Sequence, residues 1–104
     1  ASRLFFLAAK QGYAPAQHAL ARMYEAGRGD LIKDDSAAVY WLTQAAQKDD
    51  PSAQCELGLR YLEGRGVTRS LTRGEEWLQR AARGGDYKAL RILRLRGLVT
   101  PGNK

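Results

Sequence analysis

One cysteine and one histidine in 104 residues close off most of the chemistry a small chain could carry. Cys55 alone permits neither an intrachain disulfide nor a cysteine-based zinc cluster, and reads as a small helix residue. His18 alone has no second imidazole with which to share a metal. A Ser-His-Asp arrangement would need Ser2, Ser36, Ser52 or Ser70, and none lies in a G-x-S-x-G elbow. Ser70-Leu71-Thr72-Arg73 has the outline of S-x-x-K, but arginine does not give up its proton to act as a base. No phosphate-cradling G-x-x-x-x-G-K-[ST] or G-x-G-x-x-G occurs. No apolar run approaches the roughly 20 residues that span a bilayer. The longest is Leu4 to Ala9, and residues 1–12 read as a helix of the fold rather than a signal peptide. These absences predict a chain without catalysis, cofactor or metal.

Charge is present in quantity but unevenly placed. Lys and Arg number 17 against 11 Asp and Glu, a net of +6. Residues 1–64 hold seven cations and eight anions, whereas residues 65–104 hold ten cations and three anions. Such asymmetry points to an acidic partner or surface for the second half, or to a solvated face built by Arg80, Arg83, Lys88, Arg91, Arg94 and Arg96. Aromatics of the kind that stack bases are not interleaved among them, which argues against nucleic acid.

The chain repeats itself about 36 residues apart, the mark of a stacked repeat protein. Trp41 aligns with Trp77, and Ala45-Ala46 with Ala81-Ala82. Ala16, Leu20 and Tyr24 return as Ala53, Leu57 and Tyr61, and Gly27-Arg28-Gly29 as Gly64-Arg65-Gly66. The period divides the chain into a half unit (1–12), two units (13–49 and 50–85), a half unit (86–98) and a tail (99–104), all one domain. The chain opens inside a unit and lacks an initiating Met, which predicts a piece of a longer protein.

Each unit reads as two amphipathic helices. The first helix runs over Pro15–Ala26, Pro51–Glu63 and Tyr87–Gly97, with Ala16, Leu20 and Tyr24 on one stripe. The second runs over Asp35–Lys48 and Leu71–Arg83, and residues 2–11 supply its counterpart in the opening half unit. Asp34, Asp50, Ser70 and Asp86 stand where N-caps belong, and Pro51 sits at a first helical position. The carboxylate pairs Asp34-Asp35, Asp49-Asp50 and Glu75-Glu76 fall at helix starts, where they suit the helix dipole better than acid–base work. Gly27 and Gly64 are expected to end the first helices in a left-handed conformation.

With Ala-Gln-x-x-Leu at 16–20 and 53–57, Tyr24, Tyr61, the Gly-Arg-Gly triplets, Asp34, Ala38, Trp41 and the Ala-Ala pairs, the chain resembles the Sel1-like repeats, relatives of the tetratricopeptide repeats. The resemblance covers residues 4–98 and implies an all-α fold, a right-handed α-α superhelix of antiparallel helix pairs. Ser70, Gly74 and Ala21 depart from the family's usual Asp, Ala and Gly, and residues 91–98 drift furthest. The cysteine pairs of some secreted members are missing. The resemblance implies a bacterial protein and allows a cytoplasmic or envelope location.

In helix-pair solenoids the first helices line the concave side, so a partner is expected there. Stepping round that helix away from the core stripe gives His18, Arg22 and Glu25, then Cys55, Leu59 and Leu62, then Arg91, Leu95 and Leu98. Leu59, Leu62, Ile92 and Leu95 are expected to form an apolar strip that binds a peptide, a protein or a second copy, unless another helix covers it. The function so implied is a non-catalytic protein-interaction scaffold. Two alternatives remain at this point: β-lactam hydrolysis, which the resemblance brings with it, and binding of nucleic acid or an acidic surface through the basic half.

Overall fold

Short-range chemistry decides where the helices begin. The computed structural model describes residues 2–28 and 31–97; Gly29, Asp30 and the tail from Leu98 lie outside them. Six α-helices follow one another, with no strand among the described residues: α1 (Ser2–Lys10), α2 (Ala14–Ala26), α3 (Asp35–Gln47), α4 (Pro51–Glu63), α5 (Leu71–Arg83) and α6 (Tyr87–Leu95). Asp34 accepts from the Ala37 amide at 3.1 Å, Asp50 from Ser52 at 3.1 Å, Ser70 from Arg73 at 3.2 Å and Asp86 from Ala89 at 2.9 Å. Each bond satisfies an amide that has no partner inside its helix. Among α2 to α6 only α2 starts without a side-chain cap, with Tyr13 at that position and Pro15 in the first turn.

The turn inside each unit is built twice in the same way. Gly27 and Gly64 take φ of 67° and 70°, ending α2 and α4 in the left-handed region that a side chain would strain. The Asp34 amide then donates to the Tyr24 carbonyl, and the Ser70 amide to the Tyr61 carbonyl, both at 2.9 Å. The cap of the second helix is thereby tied to the end of the first. α6 stops at Leu95, short of the expected Gly97, which itself turns to φ 76°.

Packing runs along the chain, each helix against its sequence neighbours, in a stack of 45 × 23 × 17 Å. Leu20, Leu42, Leu57, Leu78 and Leu93 are fully buried. Each contributes about 1.5–3 kcal/mol relative to exposure. Trp41 is buried, with Phe6 and Tyr40 edge-on to its ring, whereas Trp77 is only partly buried beneath the Arg80 guanidinium. α4 and α5 cross at two glycines: a Cβ added to Gly58 would meet the Gly74 carbonyl oxygen at 2.9 Å.

Successive units are joined by a bond that explains the Ala-Gln pair. The Gln17 side-chain amide donates to the Ala9 carbonyl, and Gln54 to the Ala46 carbonyl, each at 3.0 Å. Both acceptors are the second alanine of an Ala-Ala pair near a helix C-terminus, and each carbonyl also accepts an amide of the turn that follows, Gly12 or Asp49. Leu90 takes that place in α6 and makes no such bond.

Candidate functional site

The first of the expected binding columns turns out to be a seam between units. His18 presents Nδ1 to Asp50 Oδ2 at 3.3 Å and Nε2 to Glu56 Oε2 at 2.8 Å. Arg22 Nη2 reaches the same Glu56 oxygen at 2.8 Å. Lower down, Glu25 Oε2 meets Arg60 Nη2 at 2.6 Å, and Arg60 also holds Asp35 Oδ1 at 3.2 Å. Thus α2 meets α4 through charge. The hydrogen bond to Glu56 raises the His18 pKa against the opposing effect of burial. Burial of Glu56 favours its neutral form, but hydrogen bonds from His18 and Arg22 outweigh it and hold the carboxyl down at about 2.

The second column meets α6 in the same way, through apolar groups. Cys55 is 1% exposed, so it does not line an open groove. Burial first, then the adjacent Asp86 carboxylate, pushes its thiol up to about 12. Asp86 stands beside Cys55 as Asp50 stands beside His18, each the cap of the next first helix. Leu59, Leu62 and Ile92 are half-buried against a cluster of Cys55, Leu78, Ala81, Ala89 and Leu93. Leu62 packs over Gly74. The expected apolar strip therefore does not stand open; of its four members only Leu95 does, at 81% exposure, next to exposed Arg91. Leu98 lies outside the described residues. First helices of successive units stand side by side, so the arc turned away from the core stripe faces the next unit.

What stays open is the opposite flank of α2. Phe5, Ala19, Met23 and Ala26 floor a groove of about 740 Å³, with Arg22, Glu25, Arg28 and Glu56 around it. At the corresponding places α4 carries Glu56, Arg60 and Glu63, and the first two of these meet α2. The same flank of α2 meets no first helix among the described residues. Sequence reasoning missed Ala19, Met23 and Ala26 because small and apolar residues form no motif. Their replacement by charged residues in the next copy was the available signal. Only Arg22 and Glu25 of the expected site border this groove.

Among the described residues no group of three or more His, Cys, Asp or Glu side chains could hold a metal, and no helix is long and apolar enough to cross a membrane. The chain is 28% identical, over 144 aligned positions, to the chitin synthase regulator SKT5 of Saccharomyces cerevisiae, covering all of this chain and 21% of that protein. An uncharacterized protein of Neisseria meningitidis serogroup B is 36% identical over 83% of this chain and 17% of its own length. The chain thus spans about a fifth of the curated relatives it matches. The crystal structure of a Sel1 repeat protein from Oxalobacter formigenes superposes with a TM-score of 0.86 at 38% identity, covering 88% of this chain and 68% of that one. The Sel1 repeat model itself matches residues 14–50 and 51–86, the two units built around α2–α3 and α4–α5, and the chain belongs to the Sel1 repeat family.

Proposed function

We propose that this chain is a non-catalytic scaffold that binds a peptide or another protein along its first helices, with the groove beside α2 as the receiving surface. Sel1 repeat chains are in general protein–protein interaction modules. The observation that carries the reading is the groove itself, an apolar floor of Phe5, Ala19, Met23 and Ala26 within a charged rim. Binding sites commonly combine apolar area with a few polar groups that fix orientation. Arg22 and Glu25 supply such groups here, each already held by a partner on α4. SKT5 is named as a regulator, a role that binding can fill.

Support for the absence of catalysis comes from the two groups best suited to it. Both His18 nitrogens face carboxylates, which favours the protonated ring over a general base. Cys55 is buried, and its raised pKa keeps it a thiol rather than a nucleophilic thiolate.

Ala19→Glu/Ala26→Glu tests the groove, because α4 carries glutamate at both corresponding positions and folds. Proteins retained by the wild-type chain are expected to be lost from this variant while its circular dichroism is unchanged. An identical set retained by both chains would place binding elsewhere. Turnover of a chromogenic β-lactam by the purified chain would favour the hydrolase alternative.

A further inference from the structure

We propose that the outer face of α6 docks an acidic helical segment of a protein partner. This surface is additional to the groove beside α2 and rests on the same reading of the chain as an interaction module. On a helix, Arg94, Tyr87, Arg91, Leu95 and Lys88 fall in one continuous arc opposite the buried Ala89 and Leu93. Tyr87 is 85% exposed and Leu95 81%, so two large apolar groups stand in water. Lys88, Arg91 and Arg94 flank them and make no ion pair among the described residues, whereas Arg96 reaches Glu75 at 3.7 Å. α6 itself contains no carboxylate.

In α2 and α4 the Arg94 side of this arc is covered by later helices. The place of Arg94 is held there by Ala21, 1% exposed, and by Gly58, over which α5 crosses. A Cβ on Gly58 would already approach the Leu78 side chain and the Gly74 oxygen to 2.9 Å. A long arginine at that place does not fit the close glycine-to-glycine crossing by which α5 lies on α4.

The two internal seams state what fits it. Arg91 and Leu95 occupy the column of His18 and Arg22, which are met by the Glu56 carboxylate, and of Cys55 and Leu59, which share an apolar cluster with Ile92. A helix that offers carboxylates to Arg91 and Arg94 and an apolar side chain to Leu95 and Tyr87 satisfies both. Guanidinium forks bind carboxylates in a bidentate manner, which adds geometric specificity to charge. A second copy docking through α1 would bring Arg3 and Lys10 against this face without a single carboxylate. A nucleic acid would find one aromatic ring and leave Leu95 unused.

The test is titration of the full chain with a labelled acidic amphipathic peptide of roughly 18 residues, long enough to be helical, carrying glutamates beside a leucine stripe. Arg91→Glu/Arg94→Glu is expected to weaken binding at least about tenfold, and a lysine version of the peptide to bind that variant instead. Leu95→Gln, which leaves charge unchanged, is also expected to weaken binding about tenfold. The Ala19→Glu/Ala26→Glu chain is expected to bind the peptide as wild type does, so failure of the groove leaves this surface standing. No binding by the wild-type chain overturns the proposal, and unchanged binding by Leu95→Gln reduces it to unspecific charge attraction. Tighter binding of a single-stranded oligonucleotide assigns the face to nucleic acid. A concentration-dependent dimer in sedimentation velocity, abolished by Leu95→Gln, assigns it to a second copy.

Discussion

The His18 ring and the Glu56 carboxylate meet at 2.8 Å across the seam between α2 and α4, with Asp50 on the other ring nitrogen and Arg22 sharing the Glu56 oxygen. A histidine whose folded pKa lies above its ordinary 6.5 stabilises fully below pH 6.5, and that contribution fades as pH climbs through the folded value. Glu56, held at about 2 against an ordinary 4.5, contributes above pH 4.5 and loses its contribution as pH falls toward 2. The seam is therefore strongest between pH 4.5 and 6.5. Urea unfolding across pH is expected to show stability declining above pH 6.5, and His18→Gln to flatten that limb. An unaltered decline in the variant would locate the titrating group elsewhere.

Gln17 and Gln54 make the same bond but are not equally well satisfied. Gln17 Oε1 is buried with no hydrogen-bond partner, whereas Gln54 borders a surface pocket beside Asp49 and Arg80. Replacing either by leucine removes one of the two bonds accepted by the Ala9 or Ala46 carbonyl, the other coming from the Gly12 or Asp49 amide, at a cost of about 1 kcal/mol. Gln17→Leu also removes a stranded oxygen, and is expected to cost less than Gln54→Leu in denaturant midpoints. Equal losses would mean that the Gln17 oxygen is satisfied in solution.

Local chemistry was legible in the sequence; directions between units were not. Asp34, Asp50, Ser70 and Asp86 could be named as caps because a cap depends on its own next few residues. Leu20 and Leu57 could be placed in the core because the stripe recurs. The open face was misassigned because a helical wheel gives angles relative to its own stripe and says nothing about where the next unit stands. Cys55 and Leu59 were consequently turned outward, though α5 and α6 pack over them. Arg60 was missed for the same reason: it is 4% exposed, and the carboxylates that pair with it, Glu25 and Asp35, are distant in the chain.

Arg60 and Arg65 reach the same two carboxylates from different depths. Arg60 is buried, whereas the Arg65 side chain is 44% exposed, with contacts of 3.4 and 3.7 Å. Arg60→Ala removes the buried bridge and leaves Glu25 and Asp35 to the more exposed Arg65 and Lys33, and is expected to cost about 1–3 kcal/mol. Arg65→Ala loses only an exposed pair and is expected to cost under about 1 kcal/mol. Thermal melts of the two variants in matched buffer check the order. Equal shifts would show that Arg60 does not hold α2, α3 and α4 together.

Leu59 and Leu95 stand at the same place in α4 and α6, yet one is half-buried and the other 81% exposed. A carboxylate at position 59 would lie against the apolar cluster that holds Cys55, Leu78 and Leu93. Leu59→Asp is therefore expected to cost about 2–5 kcal/mol, through lost burial and a desolvated charge. Leu95→Asp should leave the melting temperature nearly unchanged, because solvent already surrounds that side chain. Circular dichroism melts of the two variants settle the comparison. If Leu59→Asp were harmless and Leu95→Asp destabilising, the half-buried seam would lie after α6 rather than before it. The arc proposed to dock an acidic helix would then belong to the core.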